Sequence, residues 1–442
     1  MKEDRRMKLQ KKKLAKQLAA CRTEQGLSKA SLEHYLKVCG KQFSKLLSSQ
    51  QVQAEADRVW CGVERCLFGN GKELHFKKLM DFDTIGGKSN KNGARFDLDA
   101  MYVNWLGLSL KCYLPKSENS LSYVWESLKG KISYCNIKRL MFSSGWRYYA
   151  EIVVSGAAPT RVSIGTSTMG IDPGVSTIAG VSEDACVLEE LAPNAIQYEK
   201  KIQKISQRMD RSRRISNPNK YNEDGTIIRS NRDPWKYSKN YVKMCRLLKS
   251  LYRKKHAYIV DSHRELCNKL ITIARYFPVE KMHFQALQKR AKETKRQEKK
   301  TEVKQKDGTV KVIQKYKRKK RFGRSINRRA PARFLLELKR KAEAVGGVYA
   351  EVDTKEFKAS QYNHVTDAYE KIPLSQREKE IGKRKVQRDL YSAFLIRNAD
   401  LDFKHPDREK CEYEFEHFAN LQDQLILKMK ESGLSMRQCF GF

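Results

Sequence analysis

The stretch Thr168-Met169-Gly170-Ile171-Asp172-Pro173-Gly174-Val175-Ser176-Thr177-Ile178-Ala179-Gly180-Val181 constrains this chain more than any other. A short apolar run ends in a carboxylate, a Pro-Gly pair follows, and a second β-favouring run begins at Thr177. That chemistry predicts a tight β-hairpin with Asp172 at the end of its first strand. A carboxylate fixed on a rigid strand suits a hard cation such as Mg²⁺, which takes oxygen ligands. Alone, Asp-Pro-Gly is more often just a turn, so its weight depends on what accompanies it.

Two later segments supply company. Arg275 to Phe284 reads as an extended run following a helix end, with Glu280 interrupting apolar residues. Val386 to Ile396 reads as a short amphipathic helix in which Asp389 and Ala393, four apart, share a face. Asp172, Glu280 and Asp389 thus close a strand, a strand and the start of a helix. That order matches the RNase H-like arrangement that holds two divalent metals for phosphodiester cleavage.

Composition points to the same kind of partner. Ninety Lys and Arg against 51 Asp and Glu give a formal charge of +39. Self-repulsion of that size destabilises a compact state, so a polyanion is the economical partner and binding should be steeply salt-dependent. A ribosomal-type or merely soluble basic protein is the alternative. The 11 cysteines include no Cys-x-x-Cys pair, which indicates neither a disulfide framework nor a zinc ribbon. With no apolar run of about 18 residues and a charged start in place of a signal peptide, a soluble, cytoplasmic or nucleoid-associated protein is expected.

Along the chain, residues 3–68 carry helical periodicity, with a capped start at Ser28 and a stripe of Leu32, Tyr35, Leu36 and Cys39. From 73 to about 160 the period becomes two, and Ile137–Phe142 and Trp146–Val154 flank a turn at Ser143-Ser144-Gly145. This reads as a small β-barrel, whose Tyr148 and Tyr149 either stack on bases or serve as cross-strand core aromatics. A helical insertion over 196–274 is split by a turn-rich loop at 216–225, and Arg208, Arg211, Arg213 and Arg214 crowd the end of its first helix. Such a cluster either forks phosphates or forms a solvated face. Residues 289–329 hold 19 Lys or Arg against four acids, including the run Lys317, Arg318, Lys319, Lys320 and Arg321. A ribbon hairpin around Asp307-Gly308 is expected there, with the remainder unordered until it meets RNA or DNA. Pro331 opens a helix striped by Phe334, Leu335, Leu338, Ala342 and Val345, and Val348–Val352 follows as a core strand.

The chain resembles the TnpB family of transposon-encoded RNA-guided nucleases and the related type V CRISPR effectors. The resemblance runs from roughly residue 25 to 400 and rests on Gly-Ile-Asp-Pro-Gly at 170–174, Val-Glu-Lys-Met at 279–282 and Gln-Arg-Asp-Leu-Tyr-Ser-Ala-Phe-Leu at 387–395. Ala330-Pro331-Ala332-Arg333-Phe334, Leu67-Phe68-Gly69-Asn70-Gly71-Lys72 and Arg147-Tyr148-Tyr149-Ala150-Glu151 add to it. It implies a multidomain α/β fold: a helical recognition lobe (1–68), a β-barrel wedge domain (69–160) and an RNase H-like (RuvC-like) nuclease core (161–356). The core would carry the insertion at 196–274 and the basic segment at 289–329. A target-nucleic-acid-loading subdomain (357–386), a final RuvC-like helix (387–398) and an acidic tail (399–442) would complete it.

The resemblance further implies an RNA-guided DNA endonuclease whose Asp172, Glu280 and Asp389 hold two Mg²⁺ ions. Arg388 is the candidate for neutralising the scissile phosphate. The partners would be a guide RNA and double-stranded target DNA bearing a short flanking motif, with the four arginines at 208–214 facing the heteroduplex. Two departures stand out. The stretch 358–382 contains no cysteine where relatives carry a zinc ribbon, so zinc is not expected. Ser392 stands where many relatives have asparagine, and it can still donate a hydrogen bond. A guide-directed DNA-binding repressor with a lapsed nuclease and an RNA-independent structure-specific resolvase are the rival readings. The tail, with nine acids against six Lys or Arg, shows no ordering signal, and His405, Cys411 and His417, six apart, invite only a weak metal guess.

Overall fold

A computed structural model of the chain describes residues 2–69, 71, 73–77, 81–223, 225–288, 296–304, 310–316, 322–373 and 375–439. Two units follow one another, Met1–Pro159 and Thr160–Phe442. The fold is mixed α/β with several separate sheets, none of them closed into a barrel among the described residues.

The first unit begins with helices α1 (Lys2–Glu24), α2 (Lys29–Gly40) and α3 (Ser49–Phe68). Ser28 caps α2 by accepting from the Ser31 N–H at 3.0 Å, as the sequence predicts. A reciprocal Ser48–Gln51 capping box starts α3. Strands β1 (Thr84–Gly86), β2 (Arg95–Asp97), β3 (Tyr102–Trp105) and β4 (Leu108–Lys111) follow, then α4 (Glu118–Leu128), β5 (Ile132–Phe142) and β6 (Gly145–Val154).

The expected barrel is replaced by two three-stranded sheets, β1-β5-β6 and β2-β3-β4. Closure needs long, tilted strands whose ends pair. Here four of the six strands are three or four residues long, and α4 interrupts what reads as one β region. The sheets instead share a small core of Phe96, Val103, Leu128 and Cys135, bordered by Ile137 and Ile152. The β5–β6 hairpin turns where predicted, with Phe142 paired to Gly145.

The second unit centres on one sheet built from β7 (Ser167–Thr168), β8 (Gly170–Pro173), β9 (Thr177–Val181), β10 (Cys186–Glu190), β11 (Ala274–Glu280) and β14 (Val348–Val352). The strand order is β10-β9-β8-β11-β14, with β7 also pairing β11. β9 runs antiparallel to both neighbours, while β8, β11 and β14 are parallel. Between β10 and β11 lie α5 (Ala195–Ser216) and the 35-residue α6 (Lys239–Ile273). Between β11 and β14 lie α7 (Phe284–Gln288), the antiparallel ribbon β12 (Arg296–Lys304) and β13 (Val310–Tyr316), α8 (Gly323–Arg329) and α9 (Pro331–Ala344). Beyond β14 come α10 (Thr354–Phe357), the ribbons β15 (Tyr362–Asn363)/β16 (Ala368–Tyr369) and β17 (Glu378–Ile381)/β18 (Arg384–Gln387), then α11 (Arg388–Arg397), α12 (Arg408–Glu431) and α13 (Met436–Cys439).

Side chains alternate between sheet faces, and each face is covered. On one, Met169, Ile171, Ile178, Phe277 and Val279 meet Leu266, Cys267 and Leu270 of α6 and Phe334, Leu338 and Ala342 of α9. On the other, Ala179, Val181 and Val352 meet Leu390, Phe394 and Leu395 of α11 and Phe415 and Phe418 of α12. Residues 357–386 contribute Phe357, Tyr362, Ile381 and Val386 to that second core.

The region after 399, expected to be unordered, is dominated by α12. Cys411, Phe415, Phe418, Ala419, Gln422 and Ile426 form its buried stripe. The acidic residues lie between these positions and mask a helical period.

Candidate functional site

Gly170 explains how the second face forms a site. A Cβ there would lie 2.2 Å from the Ala393 carbonyl oxygen and 2.3 Å from the Arg397 nitrogen, so only glycine lets α11 cross β8 at backbone contact. Asp172, two residues on, faces the same way. The hairpin beyond it closes with the Gly174 N–H donating to the Thr177 carbonyl at 2.9 Å, and Asp172 pairs with Ala179.

β11 brings the second acid. Ile171 and Val279 are register partners in parallel strands, so the next residues, Asp172 and Glu280, are neighbours on the α11 side. Their carboxyl groups are hydrogen-bonded to each other. Burial raises the Asp172 carboxyl well above its ordinary range, and the charges of Glu280 and Asp389 raise it further. Glu280 is raised too, by burial first and then by Asp389, while hydrogen bonds from Asp172 and Thr354 oppose the rise.

Asp389 enters from the first turn of α11, whose start Gln387 caps through the Leu390 N–H. Its Oδ1 accepts from Arg388 Nε at 3.2 Å and Nη2 at 3.0 Å, and Arg377 Nη1 lies 3.5 Å from Oδ2. Arg388 is therefore turned onto Asp389 and buried, rather than extended into solvent. The Ser392 hydroxyl donates within its own helix to the Arg388 carbonyl at 3.1 Å.

The three sequence-predicted acids thus converge on one end of the sheet. Among the described residues, however, no group of three His, Cys, Asp or Glu side chains is set at ligand spacing around a common point. Asp172 and Glu280 are bonded to each other, and Asp389 to arginines. The donor set nevertheless fits a hard divalent ion: the oxygens are all carboxylate, and their charges repel one another. Arg377 and Thr354 belong to this site and carry no signal in the sequence. Arg377 sits in a stretch with no motif, and Thr354 becomes adjacent only through the β11–β14 pairing, where its hydroxyl donates to the Lys281 carbonyl at 2.6 Å.

The other candidates lie elsewhere. Arg213 and Arg214 donate to Asp210 at 2.8 Å each, Arg214 also to the Gly225 carbonyl at 2.9 Å. They stack on Trp235 and Tyr221 at 5.3 and 4.7 Å, fastening the loop between α5 and α6. Arg208 and Arg211 remain exposed. Tyr148 and Tyr149 lie on the edge strand β6 and are 67% and 43% exposed, and Tyr149 stacks on Phe142 of the paired strand at 6.4 Å. Lys317, Arg318, Lys319, Lys320 and Arg321, the Asp307-Gly308 turn, Asn70 and Lys72 lie outside the described residues.

His405 meets Tyr369 Oη at 3.3 Å and His417 the Glu183 carbonyl at 2.8 Å, while Cys411 is buried, so these three do not gather. Among the described residues no helix is long and apolar enough to cross a membrane.

No family model matches the chain, and no curated protein does. Among solved structures, a chain of a CRISPR-Cas12f ternary complex determined by cryo-EM is similar at 13% identity, over 86% of this chain and 75% of that one. Its TM-score of 0.29 is too low for the likeness to carry weight.

Proposed function

We propose that this chain is an RNA-guided DNA endonuclease with a single RNase H-like, RuvC-type site. The observation that carries the reading is the meeting of Asp172, Glu280 and Asp389 on one covered face of the sheet. Numbered along the chain, the five principal strands stand in the order 3-2-1-4-5 with only the second reversed, which supports an RNase H-like layer. Asp172 and Glu280 supply rigid ligands from strands 1 and 4, and Asp389 a third from the covering helix. When bound, two Mg²⁺ ions would activate water and steady the leaving oxygen of a phosphodiester. Arg388 holds Asp389 in orientation through two N–H groups on one of its oxygens.

The charge of +39 supports a nucleic-acid partner, and the motifs shared with the guided family favour a guide RNA and a double-stranded DNA target. In this reading the first unit holds the recognition and wedge functions, without a closed barrel, and residues 357–386 admit substrate without zinc ligands. The lapsed-nuclease reading is disfavoured by retention of all three acids. The test is Mg²⁺-dependent cleavage of plasmid DNA matching whatever RNA co-purifies with the protein. Cutting by Asp172→Ala at the wild-type rate would refute the site. Unaided cutting of branched DNA by RNA-free protein would favour a resolvase.

A further inference from the structure

The turn that follows Asp172 leaves the sheet and is met there by the short helix α8. Ser325 of α8 sets its Oγ 3.4 Å from the Val175 carbonyl oxygen and 3.4 Å from Ser176 Oγ. The seat of α8 is fixed from several sides. Arg329 pairs with Glu190, the register partner of Thr177, and both side chains are largely buried. The Arg329 Nη1 also lies 3.4 Å from Ser325 Oγ. Arg328 pairs with Glu199 of α5 at 2.7 Å, and Lys255 of α6 meets the same carboxylate at 2.9 Å. The Arg329 carbonyl lies 2.9 Å from Nε2 of the buried His263, and Ile326 is buried as well. Ala330, which joins α8 to α9, stands in the left-handed region at φ 50° and ψ 54°. That backbone is costly for a residue with a Cβ and persists only where its surroundings over-determine it.

We propose that α8 is a brace for the turn beyond Asp172, with Ser325 as its contact and Arg329 as the residue that seats it. The consequence for chemistry rests on the nuclease reading above. Asp172 and Pro173 pair with Ala179 and Ile178, so the turn begins directly after the catalytic strand end. From the β10 side, the Leu191 N–H donates to the Ser176 carbonyl at 2.8 Å. Glu190 precedes Leu191, so the Arg329 ion pair and that hydrogen bond secure the same flank of the turn. Removing one member of a buried ion pair strands the charge of the other. Loss of Arg329 therefore loosens α8 and the end of β10 together, and the Asp172 carboxylate shifts with the turn. Ser325 and Arg329 act through the backbone of the hairpin and are positioning residues.

The test uses the full chain with the RNA that co-purifies with it. Hydrogen exchange of the peptide spanning residues 170–180 reads the turn itself. Arg329→Met should speed exchange there about tenfold, and Arg329→Lys, whose ammonium still meets Glu190, should restore most of the protection. Ser325→Ala removes only long contacts and should melt with the wild type, yet lower kcat for guided cleavage about three- to fivefold. Arg329→Met should lower kcat about a hundredfold, the order that a misplaced reacting group costs. In both variants the DNA concentration giving half-maximal rate should stay as it is, because neither residue meets substrate. Unchanged exchange over 170–180 in Arg329→Met overturns the brace, as does faster exchange with an unaltered kcat. Should Arg329→Met fail to fold, Ser325→Ala decides, and a wild-type kcat in that variant overturns the proposal. A wild type that cuts no DNA refutes the nuclease reading instead, and the exchange data then decide the brace by themselves.

Discussion

Asp172 and Glu280 stand side by side on parallel strands, one residue beyond the paired Ile171 and Val279, and are hydrogen-bonded to each other. Both carboxyl groups bind protons more strongly in the folded chain than in the unfolded one. Stability from a raised carboxyl is fully present below its unfolded pKa and is lost as pH rises through the folded value. Asp172→Asn removes that dependence and keeps a donor for Glu280. In EDTA it should be more stable than wild type by about 1–2 kcal/mol at pH 8 and indistinguishable near pH 4. Thermal melts across that range decide it.

The same two residues should separate binding from chemistry. Asp172→Ala and Glu280→Ala each remove an oxygen donor from a site whose third carboxylate, Asp389, is held by arginines. Cleavage should fall by about a thousandfold or more, since the remaining ligands cannot fix a metal pair. Retention of nucleic acid should be unchanged, because neither residue belongs to a basic surface. Gel shifts alongside single-turnover cleavage check both halves, and equal loss of binding and cutting would count against the assignment.

The elements that bring Asp172, Glu280 and Asp389 to one end of the sheet are legible in the sequence because their information is local. Asp172 and Glu280 lie at the ends of strands and Asp389 in the first turn of a helix, and the period and turn residues of each element are visible in a short window. Arg377 was not readable, since its role comes from a ribbon folding back on α11. The barrel failed because alternation in β2 to β4 shows that strands form, not that they are long enough to close. The last helix is hidden in the sequence for the opposite reason. Its surface acids dominate the composition, while Phe415, Phe418, Gln422 and Ile426 keep a regular stripe beneath them.

Gly170 offers a test of how α11 is seated. Gly170→Ala places a methyl group 2.2 Å from the Ala393 oxygen, and the neighbour is backbone, which cannot rotate away. The helix must shift, carrying Asp389 with it. Overpacking of this kind costs about 1–3 kcal/mol or more. Urea denaturation should show that loss, and cleavage should fall further than the remaining folded fraction explains.

His364 sets an acid limit. It is buried against Phe415 at 4.7 Å, its Nδ1 lies 2.8 Å from Tyr391 Oη, and burial lowers its pKa to about 4. His263, buried with Nε2 at 2.9 Å from the Arg329 carbonyl, is likewise lowered to about 4. A base depressed in the fold gives stability that is full above its unfolded pKa and lost as pH falls through the folded one. The window therefore runs from about 6.5 down to about 4. His364→Phe, which retains the ring contacts, should flatten the decline across this window by on the order of 1–3 kcal/mol. Urea midpoints at pH 7, 5.5 and 4.5 measure it, and parallel curves for variant and wild type would show that His364 does not titrate there.

The last helix should prove structural. Phe418 is 2% exposed and stacks on Phe394 of α11 at a centroid distance of 4.6 Å. Arg397 ties the same two helices together through its ion pair with Glu414. Phe418→Ala removes an aromatic from a closed core, a change that costs about 3–5 kcal/mol. Because α11 carries Asp389, the damage should reach the site: Mn²⁺ affinity should weaken along with stability. A chain ending at residue 399 should be worse still, losing the cover over Phe394 and failing to accumulate as folded protein. Had this region been a solvated acidic tail, both changes would leave the melting temperature and metal binding as they were, so calorimetry and Mn²⁺ titration on the same samples distinguish the two.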